Sequence, residues 1–322
     1  MFFIVFYHLI LWFVHDNPEY DWVRAFWIPL HIGVVCFILI SGYWGIRPSS
    51  RGLLLYLGVL LLYSIPDIVY SIRQNYSIYG IIHSLQFVSK SKYWFARTYL
   101  GLYLIAPLLN RFLESSSRKG QWYLLIVLSA ISIYLGNFSE FQAYLDGKNL
   151  INFMLVYVIG YLLHEYSPKW KAIDIRVLIL SYLFLNGVLV FACLFFRGSW
   201  LGDLVWKMSF PYNSPFLILN AVLFFSIIGK VEFSSSVINS LATNCFSIYL
   251  IHGMTPLMDL VERPFLSKVF YSIGSNVMVF IAILFFSAIL IMLLCSLINQ
   301  AFSPLWKCIN RFGGVIQARI GF

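Results

Sequence analysis

A histidine inside an apolar run is the first residue of this chain whose type and setting suit chemistry. His8 lies within IVFYHLILWF, where its neighbours are almost all apolar. Because histidine titrates near neutral pH, His8 can serve as a general base or carry an acyl group. The alternative is a neutral imidazole that donates a hydrogen bond to a backbone carbonyl of a neighbouring helix. His15, seven residues on, is expected at the water boundary.

An arginine in the stretch KYWFARTYLGLYLIAPLLN is the second candidate. Trp94, Arg97 and Gly101 are spaced i, i+3, i+7 and therefore share one helix face. A guanidinium that is always charged must meet a carboxylate, a cluster of carbonyls or a ligand anion. Alternatively it snorkels to the interface, since Arg97 lies only about a turn into the apolar run.

A phenol and an imidazole share a third helix face, in NCFSIYLIHGMTPLM. Tyr249 and His252 are three residues apart, so one can orient the other through a hydrogen bond in a functional site. The same pair can equally satisfy each other inside a packed bundle. Asp67, which follows Pro66 near the end of another apolar run, has the same ambiguity.

The elements that must position these residues are membrane helices. Hydrophobic residues make up 61% of the chain and charged residues 11%, which excludes a soluble enzyme, while 19% aromatic residues exclude disorder. The net charge of +9 is scattered singly or in pairs, so no nucleic-acid partner is expected. The cysteines show neither CxxC nor Cys/His ligand spacing, which predicts no disulfide framework and no metal site.

We therefore predict an all-α, polytopic transmembrane helix bundle of about ten spans that forms a single membrane-embedded domain over residues 1–322. The apolar runs are roughly 2–14, 26–46, 53–72, 93–113, 121–138, 150–166, 176–196, 214–231, 237–258 and 275–298. The first run reaches only about 20 Å at 1.5 Å per residue, against a hydrocarbon core of about 30 Å. Either this helix is a half-span, or the span is truncated and the natural chain begins upstream of Met1; we favour the second.

The charges in the loops give an orientation. With a cytoplasmic N-terminus, a small majority of Lys and Arg falls on the inner side, and most acidic residues, including Asp16, Glu19 and Asp21, fall outside. We predict an integral protein of the cell (inner or plasma) membrane with both termini in the cytoplasm.

Depth then separates two groups of candidate residues. His8, Arg97 and His252 are expected in the outer third of the bilayer, whereas Arg47 and Arg51 are expected at the inner face. This arrangement predicts a path that links a cytoplasmic anion to a substrate outside.

Five stretches, in order, resemble the acyltransferase 3 family of integral membrane acyltransferases. They are His8 in an apolar first helix, FILISGYWGIRPSSRG at Phe37–Gly52, YWFARTYLGLYLIAPLLN at Tyr93–Asn110, FMLVYVIGYLL at Phe153–Leu163 and CFSIYLIH at Cys245–His252. Members of this family O-acetylate, or otherwise O-acylate, surface polysaccharides and related glycans.

The resemblance implies a donor, an acceptor and roles for the candidate residues. An acyl-CoA, most often acetyl-CoA, would be the donor substrate, and the acceptor would be a hydroxyl of a glycan or lipid-linked sugar at the membrane lipid; no bound cofactor is implied. His8 would act as the base or carry the acyl group. The remaining assignments are Arg47 and Arg51 for the donor phosphates, Arg97, Tyr249 and His252 for the acceptor end or the oxyanion, and Trp94, Tyr99 and Tyr103 for stacking on sugar rings.

One departure and two rival functions accompany the resemblance. The family carries an arginine eleven residues before its key histidine, a position that would precede Met1 here. A chain that truly starts at Met1 would lack that residue. The rivals are a transporter of a glycan or lipid-linked sugar, which intramembrane Arg and His also suit, and a scaffold subunit of an envelope-assembly complex. Against the transporter, no matching pair of broken helices recurs in two halves of the chain.

Overall fold

A computed structural model describes residues 1–74, 93–138, 146–232, 234–274 and 276–320, and the part of the chain that it describes is helical without a strand. The predicted all-α class is therefore confirmed. In chain order the helices are α1 (Phe2–Asp16), α2 (Gly33–Trp44), α3 (Ser50–Gln74), α4 (Trp94–Ser115), α5 (Arg118–Ser129), α6 (Gly136–Phe138), α7 (Leu150–Glu165), α8 (Ser167–Lys171), α9 (Ile175–Phe195), α10 (Trp200–Ser209), α11 (Pro215–Ile228), α12 (Ser236–Thr243), α13 (Cys245–His252), α14 (Thr255–Leu257), α15 (Arg263–Ser272), α16 (Val277–Ala301) and α17 (Ser303–Ile320). A 3₁₀ segment spans Pro18–Trp27, and π-helical segments span Ala130–Leu135 and Met258–Glu262.

The chain divides into two compact units. The first contains Met1–Pro18, Pro48–Arg97 and Ser234–Phe322; the second contains Glu19–Arg47 and Thr98–Phe233. The prediction of one domain over the whole chain stays a prediction.

Membrane-spanning character is clearest in three helices of the described residues. By length and composition, α3, α9 and α16 are long and apolar enough to cross a bilayer, whereas α1, α2, α7 and α11 are apolar but shorter. These seven helices correspond to seven of the ten predicted runs. About ten full spans are thus supported only in part.

Three predicted runs are not continuous α-helices. The run 121–138 passes from α5 through the π-helical segment Ala130–Leu135 into α6. The run 237–258 is divided into α12, α13 and α14, because the chain leaves the helix at Asn244 and again at Gly253, ahead of Pro256. The run 26–46 becomes α-helical only at Gly33, because Pro29 lies in the turn that follows the 3₁₀ segment. Residue 275, at the start of the tenth run, lies outside the described residues.

The core of the first unit forms where α1, α13 and α15 pack against α16. The ring of Phe13 lies 4.8 Å from that of Phe270 and 4.7 Å from that of Phe280. Amides join α13 to α16 as well, because Asn299 donates to Asn244 Oδ1 over 2.6 Å. Hydrogen bonds between amides of neighbouring helices satisfy polar groups that are costly to leave unpaired in a membrane. This packing fixes α1 and α13, the helices that carry the two histidines.

The second unit is organised around the close approach of α2 and α7. A Cβ at Gly42 would lie 2.0 Å from the carbonyl oxygen of Tyr157, and one at Gly160 would lie 2.4 Å from that of Leu39. Only glycine allows two helix backbones to come so near. The contact ends at Gly45, whose φ of 74° is in the left-handed region that glycine tolerates.

Candidate active site

Two imidazole rings meet between α1 and α13 in the first unit. The ring centroids of His8 and His252 are 5.4 Å apart and their planes differ by only 17°, so the rings are stacked. Trp12, one turn after His8 on α1, lies 5.3 Å from the ring of His252 and 6.1 Å from that of His8. His252 is completely buried, whereas His8 is half-buried. His8 is therefore the more accessible of the two.

A carboxylate lies behind the buried imidazole. Oε1 of Glu262, in the π-helical segment, is 3.5 Å from Nδ1 of His252, and the Glu262 side chain is 8% exposed. Within the described ranges, both nitrogens of His252 and Oε2 of Glu262 have no hydrogen-bond partner. A buried carboxylate is costly unless positive charge lies or develops nearby. Glu262 is thus placed to stabilise an imidazolium during proton transfer, as an acidic residue does behind a catalytic histidine.

The turn that presents His252 is fixed by a second polar cluster. Oδ2 of Asp67 accepts the hydroxyl proton of Tyr93 over 2.7 Å, and its Oδ1 accepts the backbone N–H of Thr255 over 2.7 Å. The same Tyr93 hydroxyl lies 2.9 Å from the carbonyl oxygen of Leu250. These contacts hold both ends of the break between α13 and α14, so Asp67 has a structural function there.

A cation lies at the edge of the site. The guanidinium of Arg263 is 5.9 Å from the ring of Trp12 and 3.5 Å from Oδ1 of Asp259, a pair that is about one third exposed. Arg263 follows Glu262 directly in the chain. Because this ion pair is open to its surroundings, its contribution to the stability of the fold is small.

The predicted contact between Tyr249 and His252 is not a hydrogen bond. His252 has no hydrogen-bond partner among the described residues, and the ring of Tyr249 instead lies 5.8 Å from Tyr93 and 5.7 Å from Phe95. The reason is the direction of the side chains, since His252 is drawn towards α1 while Tyr249 packs against the start of α4. Both alternatives for this pair relied on a hydrogen bond between the two side chains, and that prediction is wrong.

The remaining predicted residues of this unit lie on α3 and α4. Trp94 is half-buried beside Phe95 at the start of α4, and Arg97, one turn later, has an exposed side chain. Arg51 is exposed at the start of α3 and donates from Nε to Oδ1 of Asn310 on α17.

Three predicted residues, Arg47, Tyr99 and Tyr103, belong to the second unit. Arg47 is exposed just after α2, and Tyr103 is half-buried on α4. Near Tyr103 in the chain, the hydroxyl of Tyr99 lies 3.0 Å from Oγ of Ser41.

Glu262 is the residue of this site that the sequence reasoning missed. A signal existed, because Glu262, Leu266 and Phe270 follow at intervals of four residues and all three are buried. An acidic residue in line with two apolar ones on a helix is expected to face the interior. The surrounding Asp259 and Arg263 keep this segment out of the predicted apolar runs.

Imidazole and carboxylate side chains are groups that can transfer a proton. The described residues include no group of three or more His, Cys, Asp and Glu side chains arranged to hold a metal ion. The model of the acyltransferase domain of the acyltransferase 3 family matches residues 1–298, a range that includes His8, His252 and Glu262. No curated protein and no solved structure matches the chain. The chain therefore belongs to the acyltransferase 3 family of membrane acyltransferases.

Proposed function

We propose that this protein moves an acyl group, most simply acetyl, from an acyl-CoA to a hydroxyl of a cell-envelope or exported polysaccharide. The observation that carries the proposal is the stacked pair of His8 and His252 with Glu262 behind it. Family membership supports acyl transfer, and this cluster supplies the base that acyl transfer to a hydroxyl needs.

His8 is the group that takes the proton in this proposal. Because His252 is completely buried, substrate reaches the half-buried His8 first. His8 removes the proton of the sugar hydroxyl as its oxygen attacks the thioester carbonyl. The C–O bond forms, the C–S bond breaks, and the CoA thiolate leaves and takes up the proton. His252 and Glu262 are positioning residues. His252 orients the ring of His8 by stacking, and Glu262 stabilises the positive charge that develops on His8.

The donor is proposed to bind through basic residues at the cytoplasmic face. The bond from Nε of Arg51 to Asn310 fixes the guanidinium plane and leaves its two terminal amino groups for phosphate oxygens. Arg47, exposed after the glycine turn that ends α2, is also suited to a phosphate group. The role of each arginine is proposed separately, from the contacts and exposure of that arginine alone.

The acceptor end is proposed to use Arg97, Trp94, Tyr103 and Tyr249. Arg97, whose side chain is exposed, is proposed to stabilise the oxyanion that develops on the thioester carbonyl. The half-buried aromatic residues offer apolar surface to sugar rings. We also propose that the protein lies in the cell membrane, with both termini in the cytoplasm.

Labelled acetyl-CoA tests the proposal directly. Purified protein in lipid nanodiscs is mixed with acetyl-labelled CoA and neutral polysaccharides, and base-labile label on the polysaccharide is counted. We expect ester formation by the wild type and its loss, by at least about a hundredfold, in His8→Ala, which should insert and purify normally. Near-native transfer by His8→Ala contradicts the role of His8. Movement of glycan across sealed vesicles without ester formation would instead indicate the transporter.

A further inference from the structure

A cavity in the second unit is chemically distinct from the site described above. Its volume is about 380 Å³, within the range of about 300–1,000 Å³ that small-molecule sites occupy. It forms where the 3₁₀ segment Pro18–Trp27 meets the end of α9 and the helix α10. The charged and aromatic residues that line it are Asp21, Trp22, Arg24, Arg197, Asp203 and Trp206.

One wall of this cavity is held rigidly. Nη1 of Arg24 donates to Oδ1 of Asp21 over 2.9 Å, and the same guanidinium lies 4.3 Å from the ring centroid of Trp206. Trp206 in turn stacks on Phe210 at 3.7 Å, and Phe210 packs with Ala25 in a buried apolar cluster. The wall is thus set by packing against the core, which is what a preformed binding site requires.

The charges of the lining argue against an anionic ligand. Two arginines are matched by two aspartates, so the cavity has no net charge, and a phosphate of CoA would meet Asp21 and Asp203 as well as the guanidinium groups. A purely apolar ligand would in turn desolvate all four charged side chains. The lining fits a neutral ligand that both donates and accepts hydrogen bonds.

The aromatic residues restrict the chemical class of the ligand further. Trp206 is covered by Arg24 and Phe210, whereas Trp22 is half-buried at the cavity and meets Phe26 edge-on at 6.2 Å. An indole offers an apolar surface to the C–H face of a pyranose, while carboxylates accept and guanidinium groups donate to its hydroxyls. Neutral sugars combine these two features.

We propose that this cavity binds a sugar unit of a neutral glycan, with Trp22 as the stacking surface and Asp203 as a hydroxyl acceptor. That the glycan is the acyl acceptor rests on the proposed function. The predicted topology supports the assignment, because the loop after the first span and the loop after the seventh are both expected outside the cell, where a polysaccharide is found.

Binding without any donor tests this site independently of catalysis. The full chain in nanodiscs is titrated with neutral oligosaccharides of glucose, galactose, mannose and N-acetylglucosamine, and saturation-transfer NMR reports the bound sugar. We expect Trp22→Ala to weaken binding at least tenfold and Asp203→Asn, a near-isosteric change at an exposed position, to weaken it several-fold. Trp200→Ala, on the same helix as Trp206 but 73% exposed and outside the cavity, is the matched control and should bind as the wild type does.

The outcomes separate this proposal from that of acyl transfer. Absence of binding for every sugar in the panel, or equal binding by Trp22→Ala, Asp203→Asn and Trp200→Ala, overturns the sugar site. Sugar binding that is lost in Trp22→Ala while the wild type forms no ester supports the site and contradicts the acyl transfer. If both hold, Trp22→Ala raises the KM for the glycan at least tenfold with little change in the KM for acetyl-CoA, and His8→Ala binds sugar normally.

Discussion

Replacing Glu262 by glutamine tests which imidazole carries the positive charge during acyl transfer. The change removes one negative charge while keeping the size and shape of the side chain. Glu262 is 8% exposed and lies 3.5 Å from Nδ1 of His252, so its field is little screened by water. The ring of His8 stacks on that of His252 at 5.4 Å, so it can be no more than about 10 Å from the carboxylate.

The two possible charge positions predict different losses. At this upper limit of about 10 Å, a positive charge on His8 interacts with Glu262 by about 1.7 kcal/mol at an effective dielectric constant of about 20, and a shorter distance gives more. An interaction of about 1.7 kcal/mol corresponds to a roughly twentyfold fall in kcat. A positive charge on His252 at 3.5 Å would give about 5 kcal/mol and a loss above about a thousandfold. Because we assign the base to His8, we expect at least about a twentyfold loss.

The assay is the transfer of labelled acetyl groups under saturating donor and acceptor. We expect kcat to fall while both KM values change by less than about twofold, since neither substrate touches Glu262. Thermal unfolding of Glu262→Gln should occur at or above the wild-type temperature, because a buried carboxylate is exchanged for a neutral amide. Asp259→Asn is the matched control: it lies in the same π-helical segment and also pairs over 3.5 Å, but it is 36% exposed and should leave kcat within about twofold.

Three results refute this reasoning. A kcat within about threefold of the wild type means that Glu262 does not act on the reacting charge. A loss above a thousandfold in a normally folded variant means that His252 holds the proton and that His8 is not the base. A fall in kcat that Asp259→Asn reproduces points to the segment as a whole, which contradicts a specific electrostatic role.

Three further predictions concern the donor, the acceptor end and the fold. Arg51→Ala should raise the KM for acetyl-CoA about tenfold or more with kcat unchanged, and salt should weaken the wild-type affinity in the same direction. Arg97→Ala should lower kcat about a hundredfold, whereas an unchanged rate indicates that the side chain snorkels to the interface. Gly42→Ala should lower the unfolding temperature by several degrees, a cost of about 1–3 kcal/mol, because the new methyl group meets the carbonyl of Tyr157; Gly187→Ala, with nothing within 4 Å, should not.

The sequence predicts apolar helices well because hydropathy acts along a single segment. The run 176–196 appears as α9 and the run 150–166 as α7, each within about a residue or two. Breaks inside apolar sequence are harder to predict, since hydropathy does not register them. Asn244 and Gly253 divide an apolar run whose composition alone predicts one continuous helix.

The candidate site was predicted in part for a comparable reason. His8 and His252 were identified one at a time, because each is a polar residue in apolar sequence, where the bilayer makes it costly. That their rings stack depends on how α1 packs against α13, which no local pattern contains. The proposed link between Tyr249 and His252 failed because a shared helix face does not determine which neighbour a side chain meets.

Glu262 shows how charge can conceal a buried residue. The hydropathy of this segment is lowered by its charged residues, which are Asp259, Glu262, Arg263 and Lys268, so it lies outside the predicted apolar runs. The structure nevertheless continues the segment as a helix through α15. In that helix Asp259 and Arg263 pair at the surface, and the four-residue spacing turns Glu262 towards α13 with Leu266 and Phe270. The same charged residues that lower the hydropathy are therefore sorted by the helix, which exposes the pair of Asp259 and Arg263 and buries Glu262. A search for single acids that continue an apolar helical stripe, rather than for low charge, is the pattern that would find this residue in sequence.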